Sequence, residues 1–322
     1  MKALAQKFLR WESMLAVVLA IEFVLFANLS PYFLDVYTLS DASFNFTERA
    51  IVALPLPMLI IADEIDISIA AIIALSSVSM GLVASSGAGT GAIVCAGLGT
   101  GLAAGALNGA LVTIGRVPSI VATIGTMTLF RGAAYAVLGD RVLKEYPESF
   151  ATFGQGYIVG ALSIELALFM VFALMFGVVL HKTRWGRTIF AVGANPVASR
   201  FAGVPVNRYR FALFALTGLF CGLAAVLLTS RLGSTRPSIA QGWELEIISM
   251  VILGGVSVWG GRGSILGVVL AALVFGLITF GLGLMNIPGI VMSIFVGSLL
   301  ILVVAVPALI GLMKSARMKG SA

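Results

Sequence analysis

The stretch LSIELALFMVFALMFGVVLHKTRWGR (162–187) decides the fold. From Leu162 to Leu180 it holds a single charged residue, Glu165, and then Lys182, Arg184 and Arg187 follow closely. An apolar run of this length matches a helix crossing the hydrocarbon core, which takes roughly 17–25 residues. Basic residues at one end are how membrane orientation is encoded.

Working outward, the rest of the chain repeats that pattern. Hydrophobic residues make up 60% of it and charged residues 11%, with a mean hydropathy of +1.09. A soluble domain is about a quarter charged, so this inventory could not cover a water-facing surface. The sequence predicts an all-α integral membrane protein with about ten transmembrane helices, near 11–30, 44–62, 66–86, 91–114, 119–138, 162–181, 209–230, 244–258, 264–284 and 288–310. Its first run follows Lys2, Lys7 and Arg10 but meets no small-x-small cleavage site, so it reads as a retained helix. Cys95 and Cys221 both fall in apolar runs and imply neither a disulfide framework nor a metal site.

The loops supply the orientation. With the N-terminus placed inside, the inside loops gather Arg116, then Lys182 to Arg210, then Arg262 and the basic tail at Lys314, Arg317 and Lys319. Outside loops hold Arg141, Lys144, Arg231 and Arg236 among the acids Asp35, Asp41, Asp140, Glu145 and Glu148. This bias predicts that both termini are cytoplasmic and leaves no basic surface for nucleic acid. Segments 50–81 and 250–276 share a helix, polar turn, helix pattern, suggesting two halves in parallel orientation.

Little in the chain offers catalysis. His181 ends a helix among basic residues, with no nucleophile or metal cluster near it in sequence. Gly260-Gly261-Arg262-Gly263-Ser264 lacks the lysine and glycine spacing of a nucleotide cradle, so the chain is expected to hold no ATP or other cofactor. Gly97, Gly101, Gly105 and Gly109 line one helical face, with Gly218 and Gly222 repeating the device, which allows close helix packing in lipid. Asn108, Thr123 and Thr126 are neutral polar groups suited either to a hydroxylated solute or to bonds between helices. Glu22, Arg131 and Glu165 lie deepest in the spans and motivate an alternative, an ion- or proton-coupled secondary transporter of a small polar solute. A membrane-bound enzyme has only His181 and scattered acids behind it.

The most informative connection is HKTRWGRTIFAVGANPVASRFAGVPVNRYR (181–210), long, free of acids and punctuated by Gly193, Asn195, Pro196, Gly203 and Pro205. Proline after asparagine opens a short helix there. A docking platform for a cytoplasmic partner accounts for both its charge and its punctuation; anionic lipid accounts for the charge alone.

Together with IIADEIDISIAA (60–71), NGALVTIGRVPSIVATIGTMTLFRG (108–132) and VILGGVSVWGGRGSILG (251–267), the 183–210 stretch resembles the permease subunits of bacterial ribose-type sugar ABC importers over nearly the whole chain. The family's Gly-Gly-Ile-Asp-Leu-Ser element is here Asp63 to Ser68, which sets a second acid beside Asp66. Residues 30–56 look most like rhamnose-transporter permeases, then autoinducer-2 permeases. The resemblance implies one transmembrane permease domain over 1–322 in the bacterial inner membrane, not an enzyme. It also implies a second permease subunit, two cytoplasmic ATPase subunits docked on 181–210, and a periplasmic sugar-binding protein. By the same carry-over, Gly186, Arg187, Gly193, Asn195, Pro196, Ala198 and Gly203 belong to a coupling region, and Asp66, Asn108, Thr123 and Thr126 to the translocation path.

Overall fold

The computed structural model describes residues 11–289 together with 291, 292, 294, 297 and 298. Its helices are α1 (Trp11–Leu29), α2 (Val36–Val52), α3 (Leu56–Ile61), α4 (Ile69–Ser85), α5 (Thr90–Thr113), α6 (Ser119–Leu138) and α7 (Glu148–Gln155), then α8 (Ile164–Lys182), α9 (Arg184–Ala194), α10 (Pro196–Phe201), α11 (Val206–Leu232), α12 (Trp243–Leu253) and α13 (Ile265–Leu284). Between α7 and α8 a small antiparallel hairpin, β1 (Tyr157–Val159) and β2 (Leu162–Ser163), departs from the all-α expectation. Ser163 ends that hairpin and caps α8, its hydroxyl accepting the Leu166 N–H, so the apolar run expected from 162 starts as a helix at Ile164.

Seven stretches among the described residues are long and apolar enough to cross a membrane, where the sequence suggests about ten. The differences have local causes. The span expected at 44–62 starts earlier, at Val36, because Asp35 caps the helix with a bond from the Thr38 N–H at 2.9 Å. It bends at Pro55 and continues as α3, the two together giving 26 residues. The run at 66–86 yields α4, apolar but 17 residues long, because the polar turn holds the chain out of helix until Ser68. At 244–258 the helix α12 stops after 11 residues, at Gly254 and left-handed Gly255 (φ 84°). The span expected at 288–310 falls largely outside the described residues, as do residues 1–10 and 301–322 with both termini.

Helix α4 is buried on nearly every side, including Ile69 to Ala74 in sequence, as befits a central helix that is apolar all round. Beside it α5 and α11 touch backbone to backbone. A Cβ on Gly101 would lie 2.7 Å from the Gly222 Cα, and one on Gly105 would lie 2.8 Å from the Gly218 Cα. The glycine faces seen in the sequence are therefore one joint. Small side chains let the helices approach, and dispersion replaces the hydrophobic drive that lipid cannot supply. Helix α1 lies at the edge, packed on α13 through Phe26 and Gly281, with only Leu15 and Phe26 fully buried.

Segments 50–81 and 250–276 end their first helices alike. After α3, Glu64 N–H reaches Leu59 O and Asp63 N–H reaches Ile60 O; after α12, Val256 N–H reaches Val251 O and Gly255 N–H reaches Ile252 O. Each is a Schellman turn around a left-handed residue, Asp63 (φ 64°) or Gly255. The turns also meet, the Gly261 N–H donating to Ile61 O at 2.9 Å.

Candidate functional site

Four pieces of chain gather at one end of the bundle: the turn after α3, the α5–α6 turn, the α8–α11 connection and the loop before α13. The 181–210 segment is not a loop but two short helices fixed to that end. On α9 the buried side is Gly186, Ile189, Val192 and Gly193, spaced at three and four residues, while Arg184, Arg187 and Ala191 face out. Gly193 sits against Ile61, where a Cβ would overlap the Ile61 carbonyl and come 2.7 Å from the Gly261 nitrogen. Gly186 is pressed on Leu180 in the same way, its Cβ position 2.7 Å from the Leu180 Cα.

Helix α10 is defined at both ends by its sequence. Asn195 Oδ1 accepts the Ala198 N–H at 2.9 Å, and Pro196 fills the first helical position, where no N–H is needed. Its far end closes on left-handed Gly203 (φ 81°), with Val204 N–H to Ser199 O and Gly203 N–H to Arg200 O, both at 3.0 Å. Ser199 alone is buried, Ala198 faces out, and Phe201 is 89% exposed beside exposed Val197. Trp259, 90% exposed, stands in the neighbouring loop. Sequence reasoning missed Val197, Phe201 and Trp259; the one signal was apolar side chains among Asn, Pro, Gly and Arg.

Of the polar residues expected along a path, Asp66 and Asn108 are joined through Ser68, whereas Thr123 and Thr126 bond within their own helix, and all are sealed. Asp66 Oδ1 accepts the Ser68 N–H at 2.8 Å and the Ser68 hydroxyl at 2.7 Å. Asn108 donates to Ser68 Oγ at 2.8 Å and to Asp66 Oδ2 at 3.3 Å, while its own Oδ1 is buried without a partner. Thr123 bonds back to Ser119 O at 2.8 Å, and Thr126 to Thr123 O at 3.3 Å. All four are buried. A cavity of about 550 Å3 opens nearby, lined by Glu64, Arg116, Ser119, Arg200, Asn207 and Arg210 among others, and by none of those four. There Arg210 pairs with Glu64 at 2.6 Å. Burial pushes the Glu64 carboxyl up, and Arg210 and Ser119 pull it back only partly.

The deep ionisable groups do not form one relay. Arg131 donates to Pro237 O at 2.7 Å, Ile239 O at 2.8 Å and Ala70 O at 3.2 Å, tying the segment before α12 to α4 and α6. Glu165, near the opposite end, lies within electrostatic reach of Glu48 and Arg231, which pair at 2.7 Å, whereas Glu22 stands apart on α1. His181 is structural, its Nε2 accepting the Ile265 N–H at 3.3 Å at the start of α13. The glycine run at 260–263 fits the same description: Gly260 and Gly261 are left-handed, and Ser264 caps α13. Among the described residues no cluster of His, Cys, Asp and Glu could hold a metal ion.

This architecture is that of a multi-pass membrane protein. Residues 39–304 match a family model described as the permease component of branched-chain amino acid transport systems. The chain is also 36% identical over 300 residues to the autoinducer 2 import system permease protein LsrD of Escherichia coli (strain K12), covering 91% of each protein, and equally similar to that of Shigella flexneri. LsrD of Photorhabdus temperata is 35% identical over 91% of this chain and 90% of its own length. No solved structure matches. The chain belongs to this permease family: it is a non-enzymatic membrane component of an ABC importer, located in the bacterial inner membrane, and ATP hydrolysis resides on a separate subunit. Importers of this family also work with a periplasmic binding protein. That membership displaces the secondary-transporter alternative.

Proposed function

We propose that the chain lines the pathway of an importer for a small hydroxylated solute and receives its power stroke through α9 and α10. The observation that carries this reading is Phe201, a ring the rest of the chain leaves uncovered on a six-residue helix capped at both ends. Exposed apolar groups on a rigid mount, with Arg200 beside them, suit a protein partner. On this reading that partner is the ATPase, and Gly186, Arg187, Gly193, Asn195, Pro196, Ala198 and Gly203 build or present its seat. The same end is then cytoplasmic, both termini lie inside, and ten spans cross the bilayer. Arg116, Arg184, Arg187, Arg200, Arg208 and Arg262 on that side agree with the positive-inside bias.

Asp66, Asn108, Thr123 and Thr126 would meet solute only when neighbouring helices part, so their burial represents a closed pathway. A second permease, identical or related, completes it. The relatives import autoinducer 2, and that solute stands ahead of the rhamnose suggested by residues 30–56, because the similarity to LsrD spans 91% of the chain. Proteoliposomes holding the chain with its ATPase and binding protein give the test. Labelled autoinducer 2 should enter on addition of ATP and in the presence of an ionophore, with rhamnose as a weaker competitor. Uptake that needs an ion gradient and ignores ATP would refute the reading.

A further inference from the structure

We infer that the cavity between the α5–α6 turn, the turn after α3 and the start of α11 is a binding site for a phosphate group. Its walls hold three arginines and one carboxylate. Glu64 neutralises Arg210 at 2.6 Å, which leaves Arg116 and Arg200 as unbalanced charges on one cavity. Arg200 makes a single long bond to Asn207 at 3.3 Å, and Arg116 has no partner in the described structure. Topology asks only for positive charge at this end of the bundle; it does not ask for like charges to share a cavity, and although both side chains are exposed and water screens their repulsion, an anion between them would offset it.

A neutral amide suits the same ligand. Asn207 lines the cavity with its amide held by Thr113 O at 3.2 Å, while Ser119, already bonded to Glu64 and to the Ile65 N–H, closes the wall. Helix α6 begins there too, its cap residue Pro118 giving the first turn no side-chain acceptor, so its free N–H groups add to the positive field. Two uncompensated charges match a phosphate monoester, which carries about −1.5 to −2 at neutral pH. A phosphodiester headgroup of an anionic lipid offers the same oxygens with one charge. A volume of about 550 Å3 admits either head with a short substituent.

The full chain in phosphatidylcholine nanodiscs tests the assignment, with glycerol 3-phosphate as the soluble probe and phosphatidylglycerol as the lipid one. Arg116→Asn suits the left-handed backbone at that position (φ 56°), and Arg200→Gln lies on the surface, so both variants should fold. Saturable glycerol 3-phosphate binding, weakened about tenfold by either variant, is the expected result. Phosphatidylglycerol retained by the wild type and lost from both variants, with no soluble binding, would keep the site and identify its source as lipid. Absence of binding in both arms, or binding untouched by either substitution, overturns the inference.

Discussion

Asn195 carries a hydrogen bond that one substitution can remove and another restore. Its Oδ1 accepts the Ala198 N–H and starts α10, so Asn195→Ala should loosen that helix by about 1 kcal/mol and lower coupled transport. Asn195→Asp keeps the acceptor and should recover most of the transport, measured as ATP-driven uptake at equal protein. Failure of the aspartate to recover it would mean that the amide touches the partner directly. Glu64 makes a prediction of a different kind. Burial raises its carboxyl above the ordinary value despite Arg210, so the proton binds the folded state more tightly than the unfolded one. The stability it contributes is present in acid and is lost as pH rises through the window from the ordinary glutamate value to its raised one. Thermal unfolding of the purified protein should show that loss, and Glu64→Gln should flatten it. What could be read at this scale beforehand was local: Asn-Pro and a later glycine announce a short capped helix from sequence alone. The Glu64–Arg210 and Glu48–Arg231 pairs could not be read, because each joins residues far apart in sequence that only tertiary packing aligns.

Among the elements, the α5–α11 joint ranks its own glycines. A Cβ at Gly105 would meet the Gly218 backbone, which cannot yield without moving a helix, whereas one at Gly97 would meet the buried side chains of Met80 and Val226, which yield more readily than backbone. Gly105→Ala should therefore destabilise by roughly 1–3 kcal/mol, the usual cost of overpacking, and Gly97→Ala by less. Gly99, whose Cβ position meets nothing, serves as the neutral control. Unfolding temperatures of the three variants in one detergent check the order, and an equal loss at Gly99 would show that contact does not set it, because alanine is the better helix former and cannot lose stability there through propensity. Both glycine faces were visible in the sequence, since a four-residue period survives without knowing the partner. Span lengths were less visible: hydropathy merges α2 with α3 and extends α12 across Gly254, because glycine and proline are apolar enough to pass a window average while breaking the helix.

For the whole molecule, the meeting of two similar turns at one end shapes how force could enter. Ile61 O receives the Gly261 N–H, and Gly193 of α9 lies against the same carbonyl, so α9 sits where segments 50–81 and 250–276 meet. A push on α9 and α10 would thus act on both segments at once, including the turn that carries Asp66. A ligand moves such an equilibrium only through different contacts in its different states, which here requires an ATPase that grips the exposed side of α10. Phe201 and Val197 are the apolar part of that side, and neither supports the fold, so replacing both with alanine should leave the unfolding temperature unchanged. Co-purification of the ATPase and ATP-driven uptake should both fall at least about tenfold, the effect of losing an aromatic hot spot worth roughly 2 kcal/mol. Trp259→Ala probes the neighbouring loop on the same terms. If the double variant retains its ATPase and transports normally, the docking surface lies elsewhere on this end and α10 has only a packing role.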